Sequence, residues 1–501
     1  MKRPRPAVAL LWTVCAILLG AGVWTALRVD PVGAAEPATS VSASVEAPAA
    51  QAQAGGIEVP RGSLGTPLLP RLRSLLGLLA LTGLAWALST NRSLIPWRVV
   101  IYGTTLQVVF ALIILKSAVG AQFFDTVNTV VIALLGYTVD GARFVFGNLV
   151  DNNVPIGTGE PGNGSFVAAT GQVANTGSFF AFTVLPTIIF VSSVMTVLYH
   201  LGVMQKVVRS VAWVMQKSMR TSGAETLSCA ANIFVGQTEA PLLIKPFVER
   251  MTVSELMAVM TGGFATVAGG VMAAYVGMLV VYFPDIAGHL MAASVMSAPA
   301  ALVCAKLMVP ETEKAETANT LEVAVARPDV NVIDAAARGA SEGLGLALNV
   351  GAMLLAFVAL IFMFNGALGW MGGLVGIEDL TLERILGWAL APLAWLMGVS
   401  WADAPMAGGL LGIKTVLNEF YGYLRLAGML QGEGTMEPRT AIILTYAMCG
   451  FANFSSIAIQ LGGIGGMAPS RRHDLSRLGL RAMIAGTIAS FMTATIAGMI
   501  L

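Results

Sequence analysis

The sequence predicts an all-α integral membrane protein with eight core transmembrane helices and two re-entrant hairpins arranged as an inverted repeat. Three observations lead there. Apolar residues make up 56% of the 501 and charged ones only 11%, with a mean hydropathy of +0.76, whereas soluble domains carry about 25% charge. Uncharged runs reach the roughly 20 residues that a helix needs to cross a bilayer, which favours helices over a barrel. The tripeptide Gly-Phe-Ala recurs at Gly263 and Gly450, each time after a short or broken apolar segment and a glutamate. This composition excludes a water-soluble enzyme. With 29 Lys and Arg against 28 Asp and Glu, and no like-charged block, it also gives no footprint for nucleic acid.

At the N-terminus, Lys2, Arg3 and Arg5 precede an uncharged run over 6–27, and Val32-Gly33-Ala34-Ala35-Glu36 suits signal-peptidase cleavage. Residues 1–35 therefore read as a signal peptide or N-terminal anchor helix. The Ala, Pro, Ser, Gln and Gly of 36–70 read as a disordered external linker. Uncharged runs then mark spans at 74–91, 99–115, 179–199, 256–284, 286–305, 343–377, 440–470 and 482–501. Arginines and lysines put the loops 90–98, 204–222 and 470–481 on the cytoplasmic side. Asp125, Asp140, Asp151 and Glu160, and again Glu378, Asp379 and Glu383, mark external loops. The mixed-charge loop 306–342 falls inside by alternation. Two segments are too short or too broken to cross: 226–238, and 385–402 with 404–413, interrupted at Pro392 and Asp403-Ala404-Pro405. Both read as re-entrant hairpins, tolerated at membrane depth where they line a cavity.

The order hairpin, glutamate, Gly-Phe-Ala helix, final helix occurs twice, with Glu239 ahead of Gly263 and Glu419 ahead of Gly450. One copy starts from inside and the other from outside. An inverted repeat with broken helices is the sign of an alternating-access carrier whose site lies between the repeats.

The first hairpin tip places Gly236, Gln237, Thr238 and Glu239 before Pro241. An intramembrane carboxylate is costly and marks a ligand or coupling-ion site; pairing of Glu239 with Lys245 is the structural alternative. Glu419 stands in a comparable place, with Lys414 or Arg425 as alternative ion-pair partners. Asn453 and Ser456, three apart, share a helix face, where small polar residues also serve as interhelical glue. Carboxylates, amides, hydroxyls and the Phe451 ring, without a cationic cluster, suit a neutral polyhydroxylated ligand with a flat apolar part rather than phosphate. The oxygens of Asn232, Val235, Thr238, Thr266 and Val267 are an alternative use of the same region, as a shell for a small hard cation. A membrane-bound enzyme finds no support: His200, His289 and His473 are dispersed and no nucleophile, metal cluster or phosphate loop is present.

Over about 70–501 the chain resembles the concentrative nucleoside transporter family, as a bacterial member. The likeness rests on Leu88-Ser89-Thr90-Asn91-Arg92, Gly236-Gln237-Thr238-Glu239-Ala240-Pro241-Leu242, Pro392-Leu393-Ala394-Trp395-Leu396-Met397-Gly398-Val399, Asn418-Glu419-Phe420 and Cys449-Gly450-Phe451-Ala452-Asn453-Phe454-Ser455-Ser456-Ile457. The resemblance implies a cation-coupled importer of nucleosides: a multi-pass homotrimer of the inner membrane with an elevator-type mechanism and no cofactor beyond the coupling ion. It implies scaffold helices at 71–203, a first hairpin and repeat one at 204–310, a cytoplasmic linker, amphipathic helix and scaffold helix at 311–380, and a second hairpin and repeat two at 381–501. Gln237 and Glu239 would contact the base, with Gly236 and Thr238 completing the tip and Val271 packing on the base. Glu419, Asn453 and Ser456 would bind ribose, and Phe451 would line the pocket. Sodium would sit among Asn232, Val235, Thr238, Thr266 and Val267. Thr238 favours sodium over protons by the same resemblance. A proton-coupled carrier, or an elevator carrier of another neutral polar solute such as a nucleobase, is the alternative.

Overall fold

The computed structural model describes residues 59, 65–150, 153–158, 167–175, 180–318, 329–374, 376–377, 379–433 and 436–501. The signal or anchor segment expected over 1–35 lies outside them. The described chain is nearly all helical: α1 (Leu68–Ala87), α2 (Trp97–Lys116), α3 (Ala118–Phe146), α4 (Leu185–His200), α5 (Val203–Met219), α6 (Gly223–Ala231), α7 (Val253–Ala265), α8 (Gly269–Leu279), α9 (Ile286–Met308), α10 (Val332–Leu374), α11 (Leu382–Met397), α12 (Ala404–Val416), α13 (Glu419–Gly428), α14 (Pro438–Met448), α15 (Phe454–Met467) and α16 (Arg472–Ile500). Between α3 and α4 a small antiparallel pair, β1 (Asn153–Thr158) and β2 (Val167–Asn175), departs from the all-α expectation.

Eight helical stretches among the described residues are long and apolar enough to cross a membrane. The number matches expectation, but the set differs. Asp125 and Asp140, expected in an external loop, lie within α3, whose 29 residues carry three charged side chains. Splitting the sequence at each charge hides such a helix, although Arg143 sits 3.8 Å from Asp140, one turn away. Conversely, 440–470, expected as one span, is two helices, α14 and α15, interrupted over 449–453; 256–284 is likewise divided between α7 and α8. Of the linker expected to be disordered over 36–70, only residues 59 and 65–70 are described. Helix α1 begins at Leu68, and buried Val59 donates its N–H to the Tyr282 carbonyl at 3.1 Å.

The second hairpin needs a similar correction. The chain does reverse between α11 and α12, which pack along each other, but it breaks again at Leu417–Asn418, so that Glu419 opens α13. The glutamate-bearing turn therefore joins α12 to α13. The segment 319–328, within the range 311–380 expected to hold an amphipathic helix, lies outside the described residues. Helix α5 is amphipathic, burying Met204, Val208, Ala212, Met215 and Met219 on one stripe and exposing Lys206, Arg209 and Lys217. Helix α10 is a single helix of 43 residues.

Packing separates two kinds of helix. The apolar windows of α3 and α10 are only 17% buried, whereas those of α7–α8 and α9 are 89% buried. The first group offers apolar surface to lipid or protein, and the second forms the core. Helix α10 approaches α4 through Gly339 and Gly343: a Cβ on Gly339 would lie 2.6 Å from Thr196 Oγ1, and one on Gly343 2.8 Å from Ile189 Cα. Small residues four apart permit such close helix crossings without a hydrophobic driving force. In the first turns of α10, Arg338 donates to both oxygens of Asp329 just ahead of the helix, at 2.6 and 2.9 Å, and these bonds hold that carboxyl below its usual range.

At the base of the core, the buried ammonium of Lys306 lies 2.8 Å from Glu225 and 3.1 Å from Glu311, and donates to Ser254 Oγ at 3.0 Å. It thereby ties the start of α6 to the starts of α7 and the loop after α9. Removing one partner of a buried pair leaves an uncompensated charge, at about 3–5 kcal/mol. Lys306→Met is therefore expected to lower the thermal unfolding temperature of the detergent-solubilised protein. Adding Glu225→Gln should recover part of the loss, and equal loss in single and double variants would show that the pair carries no such energy.

Candidate functional site

Two interrupted helices and two turns meet in the core. Helix α6 starts with a capping box, in which Ser222 N–H donates to Glu225 Oε1 at 2.8 Å and Glu225 N–H to Ser222 Oγ at 3.4 Å. It ends at Ala231, and a non-helical tip follows before the short helical turn Ala240–Ile244, which carries Pro241. Helix α7 ends where Thr266 turns extended, and α8 resumes at Gly269. The Gly269 N–H donates to the Phe234 carbonyl at 3.0 Å, which fastens the tip to this break.

In the other half, α14 stops before Gly450, whose φ of +130° suits glycine alone. A Cβ there would stand 2.7 Å from the Phe264 carbonyl oxygen, so the end of α14 presses on the end of α7. Asn453 is extended and caps α15: its Oδ1 accepts the Ser456 N–H at 2.9 Å and the Ser455 hydroxyl at 2.7 Å. Asn453 and Ser456 thus do not share a helix face as their spacing implied. The chain is unwound at Asn453, and its side chain closes the helix end. Asn418 does the same for α13, accepting the Tyr421 N–H at 2.9 Å.

A cavity of about 100 Å³ opens among these ends, and all nine residues expected to face substrate line it: Gly236, Gln237, Thr238, Glu239, Val271, Glu419, Phe451, Asn453 and Ser456. Asn418, Phe420 and Ser455 join them, as do Leu346, Val350 and Met353 of α10. Sequence reasoning missed those three because an apolar stripe on a long helix looks like lipid-facing surface.

Glu419 is buried, and neither Lys414 nor Arg425 forms an ion pair with it. Tyr275 OH donates to Oε1 at 2.9 Å and Asn453 Nδ2 to Oε2 at 2.8 Å, while the Lys414 ammonium donates to the Ala447 carbonyl at 2.9 Å. Tyr275, another residue the sequence did not single out, also stacks against Tyr423 and Phe420, with ring centroids at 4.4 and 5.2 Å. Neutral donors thus fix a carboxylate that keeps lone pairs for a ligand. Glu239 has no ion pair with Lys245 and is exposed at the cavity, beside Gly236. Gln237 Oε1 accepts from Gln460 Nε2 at 3.0 Å.

The five residues expected around a cation occupy the same tip and break. Asn232 Nδ2 donates to the Ser228 carbonyl at 3.0 Å and Thr266 Oγ1 to the Gly262 carbonyl at 2.9 Å. The Asn232 Oδ1 atom is buried without a hydrogen-bond partner. A stranded acceptor beside unwound backbone at Val235 and Val267 fits a small hard cation.

Three family models match the chain. They are the Na+ dependent nucleoside transporter N-terminus over residues 76–149, nucleoside recognition over 181–281, and the Na+ dependent nucleoside transporter C-terminus over 289–498. The chain belongs to the concentrative nucleoside transporter family. An uncharacterized transporter of Haemophilus influenzae is 47% identical over 431 residues, covering 85% of this chain and 97% of that relative. YutK of Bacillus subtilis, also an uncharacterized transporter, is 45% identical with 85% and 99% covered. Human sodium/nucleoside cotransporter 1 is 40% identical over 452 residues, 87% of this chain and 65% of its own. Among solved structures, CNTnw in an inward-facing substrate-bound state superposes with a TM-score of 0.76 at 44% identity, covering 86% of this chain and 98% of that one. A double variant of CNTnw in an outward-facing state gives 0.77 at 44%, with 87% and 98% covered. These relatives are transporters, which sets aside a membrane-bound enzyme.

Proposed function

We propose that this family member is a sodium-coupled symporter that brings nucleosides across the bacterial inner membrane by elevator-like alternating access. The observation that carries this reading is the buried Glu419 carboxylate, held by Tyr275 and Asn453, in a cavity that Gln237 and Glu239 also line. Acceptors at Glu419 with Asn453 and Ser456 take the ribose hydroxyls. Gln237 and Glu239, with Gly236 and Thr238 shaping the tip, take the base edge, and Val271 and Phe451 contact its faces. Sodium travels with the substrate among Asn232, Val235, Thr238, Thr266 and Val267, where it orders the tip ahead of nucleoside binding.

The order helix, broken tip, broken helix, long helix occurs over Gly223–Met308 and again over Ala404–Ile500, which supports two re-entrant hairpins in an inverted repeat. In this reading the well-buried helices travel as one body, 204–310 with 381–501, against a scaffold of 71–203 and 311–380. The exposed apolar faces of the scaffold meet lipid and the other protomers of a homotrimer.

Radiolabelled uridine uptake in cells lacking their own nucleoside uptake tests the proposal, in sodium buffer and with choline in its place at fixed pH. Uptake that needs sodium is expected. Uptake that ignores sodium and follows the proton gradient would keep the carrier but remove the cation site; uptake in neither buffer would end the nucleoside reading.

A further inference from the structure

Gln460 belongs to no part of the site drawn so far. It is fully buried on α15, 223 positions from Gln237, and its Nε2 donates both to the Met260 carbonyl at 3.1 Å and to Gln237 Oε1 at 3.0 Å. The Met260 carbonyl fixes the identities of these atoms. A backbone carbonyl only accepts, so the Gln460 atom facing it is the nitrogen, and the Gln237 atom facing that same nitrogen is the oxygen. Gly263 makes room for the pair: a Cβ there would fall 2.7 Å from Gln460 Nε2 and 2.9 Å from Gln237 Cβ. Gln460 Oε1 stays buried without a partner, an unfavourable arrangement that a freely chosen rotamer would avoid.

The consequence falls on the cavity. With its oxygen accepting from Gln460, Gln237 turns its NH2 group to a ligand, and that nitrogen has no hydrogen-bond partner among the described residues. The Glu239 carboxylate, two residues on, offers acceptors. The first tip therefore shows a donor beside an acceptor.

We propose that Gln460 is a positioning residue that locks the Gln237 amide with its nitrogen toward the cavity. The base half of the site thereby selects nucleosides presenting a ring carbonyl beside a ring N–H, such as uridine, over those presenting an amino group beside a bare ring nitrogen, such as cytidine. The proposal rests on the nucleoside reading of the cavity. Cytosine reverses both partners of the uracil edge, setting donor against donor and acceptor against acceptor. A site whose polar groups are left unpaired by the wrong ligand discriminates more strongly than one judging size alone.

The test is sodium-driven uptake of labelled uridine by the full chain, competed with unlabelled uridine or cytidine. The wild type should need at least about tenfold more cytidine than uridine for half-inhibition. Gln460→Met keeps the side-chain length without the amide, so Gln237 is free to rotate. It should bring the two competitors to within about threefold through KM, with maximal rate per membrane-inserted protein little changed. Gln460→Glu supplies an acceptor that draws the Gln237 nitrogen away from the cavity, and should favour cytidine. Equal competition in the wild type would overturn the specificity, and that measurement needs no variant to fold. A cytidine-to-uridine ratio unchanged in both variants would overturn the role of Gln460 while leaving the nucleoside site intact. Absence of wild-type uridine uptake would instead overturn the reading on which the proposal stands.

Discussion

Glu419→Ala is expected to weaken uridine binding by at least about 100-fold, because charge-assisted hydrogen bonds are worth about 1.5–3 kcal/mol each and a ribose offers two hydroxyls to this carboxylate. The geometry makes the loss specific. Tyr275 and Asn453 each give one hydrogen bond to Glu419, one to each oxygen, and Lys414, which donates to the Ala447 carbonyl, makes no direct ion pair with it. Truncation removes the acceptors and also strands the Tyr275 hydroxyl and the Asn453 amide in a dry core. Glu419→Gln is the finer probe: it keeps the shape, loses the charge, and should weaken uridine less than alanine does. Calorimetric titration with uridine, alongside the sodium concentration that half-saturates uptake, separates the effects. The sodium value should move little. Unchanged uridine affinity in Glu419→Gln would show that the carboxylate does not hold the ribose.

Much of this site was legible in the sequence because bilayers make exceptions visible. Gln237, Glu239 and Glu419 stand out as costly groups in apolar runs, and Gly236, Pro241 and Gly450 mark places where a helix cannot continue. The departures have equally local causes. Helix α3 was hidden by Asp125 and Asp140, since counting uncharged residues treats every carboxylate as a loop. The turn ahead of Glu419 was misplaced because neither Leu417 nor Asn418 is a glycine or proline; Asn418 acts there as a cap, a role that a lone asparagine in a helical pattern does not announce. Tyr275 and Gln460 escaped notice for another reason. Each looks like one polar residue in an apolar helix, and each has its meaning in a partner 144 or 223 positions away. Chemistry that lies along the chain can be read from it, whereas chemistry assembled across the repeats needs the fold.

Asn232→Ala is expected to abolish accumulation while leaving exchange at raised uridine concentration. Its Oδ1 is a buried acceptor with no partner among the described residues, a group whose desolvation goes uncompensated unless something binds it. If sodium is what binds, that oxygen is the part of the cation shell that a substitution removes most cleanly. The Nδ2 group only repeats a contact to the Ser228 carbonyl, one turn back. One sodium ion moving inward gains about 2.3 kcal/mol per 100 mV of membrane potential, and a tenfold sodium gradient adds about 1.4 kcal/mol. Together these sustain an inside-to-outside nucleoside ratio of several hundred-fold, at about 1.4 kcal/mol per factor of ten. Without the ion that ratio should fall toward one, the largest change any single substitution here should cause. Exchange of labelled for unlabelled uridine should persist only at raised uridine concentration, because the ribose and base contacts lie on other residues but the tip is no longer ordered by the ion before the nucleoside binds. Proteoliposomes with an imposed sodium gradient and potential give both quantities from one preparation. Accumulation that survived in Asn232→Ala would place the coupling ion elsewhere and leave the stranded oxygen to a buried water.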